Sequence, residues 1–180
     1  ACVPSEVLAL IESIVDTCDE CRQWLRPGPE RHATTTVAEK FNECVETDLV
    51  FYRSFTIMHF IDRCTRWHSA IVLADRRSST LIQAVDDAWV KHHGPMKELI
   101  CDQETAIWKS MRTGAYFERK GIQYQSRAPF QHARYIERRG DLLKQVLRKM
   151  DSQLEREGIT DIPFKHRLSD AVFAGNALLT

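Results

Sequence analysis

The sequence predicts an α/β fold built on a mixed five-stranded sheet with helices on both faces, and two observations carry that prediction. Between Cys44 and Leu73, three short runs rich in β-branched and aromatic residues follow one another with brief polar breaks, the pattern of an antiparallel meander. After Leu73 the chain alternates helix-length and strand-length stretches, and helices that cross between strands bring those strands into a mixed sheet. A length of 180 residues suffices for one main domain with its own core.

The chain opens on a helical period, with Val7, Leu8, Leu10, Ile11, Ile14 and Val15 apolar, and the pair Cys18 and Cys21 follows at once. Pro27-Gly28-Pro29 breaks this segment, and the polar stretch 26–41, with Thr34, Thr35 and Thr36 in a row, reads as a linker. The three strands are Cys44 to Tyr52, Ser54 to Ile61 and Trp67 to Leu73, joined at Arg53-Ser54 and at Arg63 to Arg66. A helix capped by Ser78 or Ser79 then runs to His93, with Leu81, Ile82, Val85, Ala88, Trp89 and His92 along one side, and Gly94-Pro95 ends it. Met96 to Cys101 is the fourth strand, Thr105 to Lys120 a helix, Ile122 to Ser126 the fifth strand, and Ile136 to Glu157 a long helix. One more helix is expected over Leu168 to Leu179, in an extension spanning 159–180 beyond a main domain of 42–158. On the long helix Leu143, Val146, Leu147, Met150 and Leu154 share one arc, and Glu137, Lys144 and Arg148 share the opposite side.

Composition narrows the function classes. The formal net charge is zero, so global charge does not point to a polyanionic partner; its distribution does. Residues 102–158 hold 12 Lys and Arg against 8 Asp and Glu, whereas residues 1–101 hold 11 against 15. No apolar run approaches the roughly 20 residues that span a bilayer, and no leader-like start is present, so a soluble intracellular protein without a membrane partner is expected. The start at Ala1 suggests a fragment of a longer chain. The spacing of the six cysteines argues against a secreted disulfide scaffold, and Cys44, Cys64 and Cys101 are expected as small buried apolar residues.

Three acids stand where carboxylates need a reason. Asp48 interrupts the first strand between Val45 and Val50, Asp102 ends the fourth strand after Leu99-Ile100-Cys101, and Glu137 opens the long helix. If strands one and four are neighbours and the helix starts near their ends, the three converge. Convergent carboxylates repel and are tolerated with bound cations, and hard oxygen donors favour Mg²⁺ or Mn²⁺. Two such ions can stabilise the attacking and leaving oxygens of an in-line phosphoryl displacement.

These residues resemble the catalytic core of retroviral and retrotransposon integrases, which carry an Asp, Asp, Glu triad on an RNase H-like fold. Glu46-Thr47-Asp48-Leu49 looks like the family's first-strand acid, and His59 through Trp67 resembles the segment in which Asp-Arg and Thr-Arg-aromatic recur. Trp89 to Pro95 resembles the helix end before the fourth strand, Leu99 to Glu104 the second acid, Lys120-Gly121-Ile122 the entry to the fifth strand, and His132 to Glu137 the approach to the Glu. The chain departs from the pattern at Gln103 and Arg134, and the 34 residues between Asp102 and Glu137 are one fewer than usual.

The resemblance implies a DDE-type integrase in which Asp48, Asp102 and Glu137 hold two Mg²⁺ (or Mn²⁺) ions, processing DNA 3′ ends and transferring them into target DNA. It implies element-end and target DNA as partners, a homo-oligomer, and action in the nucleus after a cytoplasmic particle stage. Lys144 and Arg148 would hold phosphates, with Arg127, His132, Arg134, Arg138 and Arg139 lining the approach; Asp141, one turn after Glu137, would oppose them unless a neighbouring cation offsets it. Cys18 and Cys21, within 1–25, resemble the second half of the His-His-Cys-Cys zinc finger that precedes such cores, implying Zn²⁺ in a longer chain. Two alternatives remain at this point: a degenerate or domesticated core without activity, and a DDE transposase.

Overall fold

The meander forms as its apolar runs require. In the computed structural model, which describes residues 38–101, 111–126 and 134–177, strand β1 is Cys44–Tyr52, β2 is Phe55–Asp62 and β3 is His68–Leu73. The two-residue connection Arg53-Ser54 leaves Tyr52 opposite Phe55, with Arg53 at φ 51°, a left-handed conformation that closes the hairpin. Strand β4, Glu98–Cys101, lies parallel to β1, and β5, Gln123–Ser126, lies parallel to β4, giving the order β3-β2-β1-β4-β5. This is the mixed five-stranded sheet expected from the sequence. All described residues fall within one unit, Thr36–Thr180.

Alternate residues of each strand serve opposite faces. On one face Val45, Met58, Phe60 and Leu73 meet helix α1, Ser78–Val85, and helix α2, Met111–Lys120, through Leu81, Val85, Trp89 and Phe117. On the other, Val50, Tyr52 and Ile57 meet Leu143 and Leu147 of the long helix α3, Arg134–Glu157, and Phe164, Leu168 and Ala171 of the last helix α4, Phe164–Ala177. The apolar arc assigned to α3 is therefore its packed face. Helix α4 starts four residues before Leu168, because the repeat Phe164, Leu168, Ala171 already has helical spacing and Phe164 stacks on Phe55 at 3.9 Å.

Helix α1 continues through a π-helical turn, Asp86–Val90, into a last turn, Lys91–His93, and stops at Gly94 with φ 77°. The wider turn rotates everything after it relative to a regular helix. Val90 is therefore buried and His92 exposed, the reverse of the regular apolar side expected for His92. The fourth strand begins at Glu98, two residues later than expected, and Met96 fills the core as a non-strand residue. Cys44 and Cys101 are buried as expected, whereas Cys64 sits half-exposed in the β2–β3 turn.

Buried polar residues fasten the ends of this frame. Asp62, at the end of β2, accepts hydrogen bonds from the Thr65 backbone N–H (2.7 Å), the Thr65 hydroxyl (2.8 Å) and the Asn42 N–H (2.9 Å). Arg63 pairs with buried Glu46. The Asp-Arg-Cys-Thr-Arg segment is thus a turn held by its own side chains. At the far end of β1, buried Asp151 of α3 accepts the Tyr52 hydroxyl (2.9 Å) and pairs with Arg53 and with Arg167 of α4.

Candidate active site

Asp48 lies on the α3 face of β1, and Glu137 lies in the first turn of α3, exposed. Packing brings them together. Ile136 buries against Ile61 and pins the start of the helix over β2. One turn on, a Cβ on Gly140 would sit 3.2 Å from Val50 Cγ2 and 3.9 Å from His59 Nδ1, so the missing side chain is what lets α3 lie this close to β1. Beside it, Arg66 of the β2–β3 turn stacks on Tyr135 at 3.5 Å, covering the residue before Ile136. The result is a cleft of about 350 Å³ lined by Asp48, Leu49, Val50, Phe51, Ile136, Glu137, Gly140, Asp141 and Lys144.

The charge in this cleft is mostly negative. Half-buried Asp48 accepts the Leu49 N–H through Oδ1 at 2.8 Å. Among the described residues, no hydrogen bond or ion pair engages the Glu137 carboxylate. Lys144 reaches Asp141 at 2.8 Å, an ion pair one turn long, so the cation expected to hold phosphate is partly neutralised by the acid flagged in the sequence. Beneath the acids, His59 is the register partner of Asp48 and donates to or accepts from His68 at 2.9 Å. Burial, then the His68 and Arg139 charges, hold the His59 imidazole far below its ordinary range. Burial and Arg139 bring His68 down to about 4. The floor of the cleft is therefore neutral and adds no counter-charge to Asp48.

This neutral pair has a consequence for stability. A histidine that cannot protonate when folded but can when unfolded favours the unfolded chain as acid is added. Both are neutral in either state well above the ordinary histidine value of about 6.5, so no effect is expected there. Stability should fall as pH drops below 6.5 and keep falling to about 4, where His68 begins to titrate in the folded chain. Urea midpoints across that range check this; a midpoint independent of pH between 7 and 5 would remove the pair from the account, and His68→Phe should flatten the dependence.

The structure places the remaining candidates as follows. Asp102, Arg127, His132, Cys18 and Cys21 lie outside the described residues, as does the side chain of Arg134, whose backbone begins α3. Among the described residues there is no group of three His, Cys, Asp or Glu able to hold a metal ion, the third acid being Asp102. Arg138 is exposed on α3. Arg139 does not line an approach: it is buried and donates to the Gly175 carbonyl at 2.7 Å, because its position on α3 faces α4. Arg148 lies on the expected side, in an adjoining cleft of about 340 Å³ with Phe51, Tyr52, Arg53, Ser152 and Glu155. Sequence reasoning passed over Phe51, an aromatic 59% exposed near the end of β1; the signal was a third consecutive apolar residue after Asp48, breaking alternation.

Among solved structures the chain resembles integrases. It matches a chain of the simian T-cell lymphotropic virus intasome in complex with PP2A regulatory subunit B56 gamma, with a TM-score of 0.68 at 19% identity over 92% of this chain. It spans 59% of that chain's length. It matches the magnesium-complexed catalytic core domain of HTLV-2 integrase, in its dimeric form, with a TM-score of 0.64 at 14% identity over 74% of this chain and 86% of that one. The catalytic core of BIV integrase gives 0.62 at 14% identity, with 74% and 82% covered. No family model and no curated protein matches the sequence. No helix among the described residues is long and apolar enough to cross a membrane. At these identities it is the fold that is shared: the chain has the RNase H-like α/β fold of retroviral integrase catalytic cores.

Proposed function

We propose that this chain is the catalytic core of a retroelement integrase, a divalent-metal-dependent polynucleotidyl transferase that trims DNA 3′ ends and joins them to target DNA. The observation that carries the reading is the shared cleft of Asp48 and Glu137, at the positions where the sequence resemblance expects two of the three acids. The third is supported by chain continuity. Cys101, the last residue of β4, pairs with Thr47, and Asp102 is the next residue in the sequence.

The donor set fits a hard divalent cation. Glu137 offers an exposed carboxylate that no described residue pairs with, in the same cleft as Asp48 and above a histidine floor that burial keeps neutral. Asp48, Glu137 and Asp102 would hold Mg²⁺ or Mn²⁺, which when bound supplies charge stabilisation for phosphoryl transfer. The protein's own part is positional. The Gly140 contact sets the height of Glu137 over β1, Ile136 sets where along the strand it arrives, and Arg148 and Arg138 attract the phosphodiester backbone. Binding of DNA ends and target DNA, assembly with further copies of the chain, and action in the nucleus belong to this reading. The magnesium complex and the dimeric core among the structural relatives support the metal and assembly parts.

Isothermal titration with MgCl₂ or MnCl₂ tests the reading at its first step. Saturable heat is expected for the wild-type chain and not for Glu137→Gln. A wild-type chain that takes up neither ion would instead indicate a degenerate core that keeps the fold without the chemistry.

A further inference from the structure

The first turn of a helix is its weakest, because its leading N–H groups lack intrahelical partners and its residues fray. Glu137 sits in that turn of α3, so its placement depends on contacts from outside the helix. Ile136 faces inward against Ile61. At about 100° per residue, Tyr135 and Glu137 lie on opposite sides of Ile136. Whatever fixes Tyr135 therefore fixes the rotation at which Glu137 meets the cleft of Asp48.

Tyr135 is held by Arg66, whose guanidinium carbon lies 3.5 Å from the centre of the ring, while the residue remains 49% exposed. Arg66 reaches it from a turn that has little freedom to follow. The Arg66 N–H donates to the Asp62 carbonyl at 3.0 Å, and the Asp62 N–H donates to the Trp67 carbonyl at 2.8 Å. The Asp62 carboxylate accepts from Thr65 and Asn42, and Glu46 pairs with Arg63, so both acids beside the turn are engaged with other residues. Among the described residues no hydrogen bond or ion pair engages the Arg66 guanidinium, and its Nη1 is buried without a partner. The backbone there is at φ 65°, a left-handed conformation unfavourable for a residue with a side chain. A strained arginine with a buried, unpartnered nitrogen is unfavourable on both counts, and the stack on Tyr135 is the interaction it secures.

We propose that Arg66 is a positioning residue for Glu137: its stack on Tyr135 locks the rotation of the first turn of α3, so that the Glu137 carboxylate is turned toward Asp48. Arg66 does not line the acidic cleft and acts through Tyr135. The hydrogen bonds of Asp62 hold the turn in its strained form, the condition under which such strain persists. The proposal rests on the integrase reading for what Glu137 does, and not for the lock itself.

Arg66→Gly tests it, since glycine adopts φ 65° without strain and the turn is kept while the side chain is lost. In the full 180-residue chain, amide exchange of Arg138 and Arg139, whose helical hydrogen bonds run to the Arg134 and Tyr135 carbonyls, is expected to quicken on the order of tenfold. The urea midpoint should stay near wild type. Tyr135→Ala should give the same increase, the double variant no more than either, and Tyr135→Phe, which keeps the ring face, the wild-type rate. Arg66→Lys keeps the charge without the planar face and should restore only part of the protection. With MnCl₂ and a labelled DNA end, Arg66→Gly should lower kcat for strand transfer about tenfold with KM for DNA unchanged. Wild-type exchange at Arg138 and Arg139 in Arg66→Gly overturns the proposal, and so does a raised KM with unchanged kcat, which would make Arg66 a DNA contact. If exchange follows Arg66 and Tyr135 as stated while the wild-type chain shows no metal-dependent strand transfer, the lock stands and the integrase reading fails.

Discussion

Glu137→Gln is expected to lower Mg²⁺-dependent strand transfer by about a thousandfold or more while leaving the fold intact. The substitution keeps the shape of the side chain and exchanges one anionic oxygen for an amide nitrogen, so a hard cation loses a ligand and gains none. Several kcal/mol of transition-state stabilisation rest on such a cation, and every ~1.4 kcal/mol is tenfold in rate. Stability should hold, because the carboxylate is exposed and no described residue pairs with it; surface changes of this kind stay within about 0.5 kcal/mol. Asp48→Asn should behave alike, its amide oxygen still able to accept the Leu49 N–H, and Asp102→Asn likewise. Strand transfer on a labelled DNA end, paired with a urea melt of each variant, gives the answer. Near wild-type transfer by any one variant would remove that acid from the site.

Trp89→Ala is expected to be the most damaging single change to the frame, costing about 3–5 kcal/mol. The indole is fully buried and packs against Phe60 and Phe41, and its Nε1–H donates to Asn42 Oδ1 at 2.8 Å. Asn42 in turn donates through Nδ2 to the His93 carbonyl at 2.9 Å and through its backbone to Asp62. One side chain thus ties the end of α1, the entry to β1 and the β2–β3 turn. At roughly 2–4 °C per kcal/mol for a domain of this class, the melting temperature should drop by about 10 °C. Trp89→Phe keeps most of the volume and strands the Asn42 oxygen, so a smaller loss of about 1–3 kcal/mol is expected. A Trp89→Ala variant within 1 kcal/mol of wild type would show that Asn42 and the turn hold without it.

Much of this arrangement was legible in the sequence because it follows from local periodicity. The runs from Cys44 to Leu73 are rich in β-branched and aromatic residues between short polar breaks, the 3.6-residue period of α3 is strong, and strand ends moved by only one or two residues. Asp48 stood out because a carboxylate interrupts an apolar strand, Asp102 because it ends the fourth strand, and Glu137 because it opens the long helix. What periodicity misled was the face of α1 after Trp89, since a π-helical turn leaves no mark in an apolar count. It also misled on Arg139, whose charge suggested solvent although its position on α3 faces α4.

By itself, then, the sequence determined the α/β class, the order of elements and three acids worth examining, because residue type and spacing act within a turn or a strand. Only the tertiary structure decided that Asp48 and Glu137 share a cleft. That depends on a contact at long sequence separation, the bare Cα of Gly140 against Val50, which sets how closely α3 approaches β1 and is invisible to any local pattern. The same packing decided which arginines are spent on the fold and which face solvent: Arg139 is held by Gly175 and Arg167 by Asp151, while Arg148 stays at the adjoining cleft.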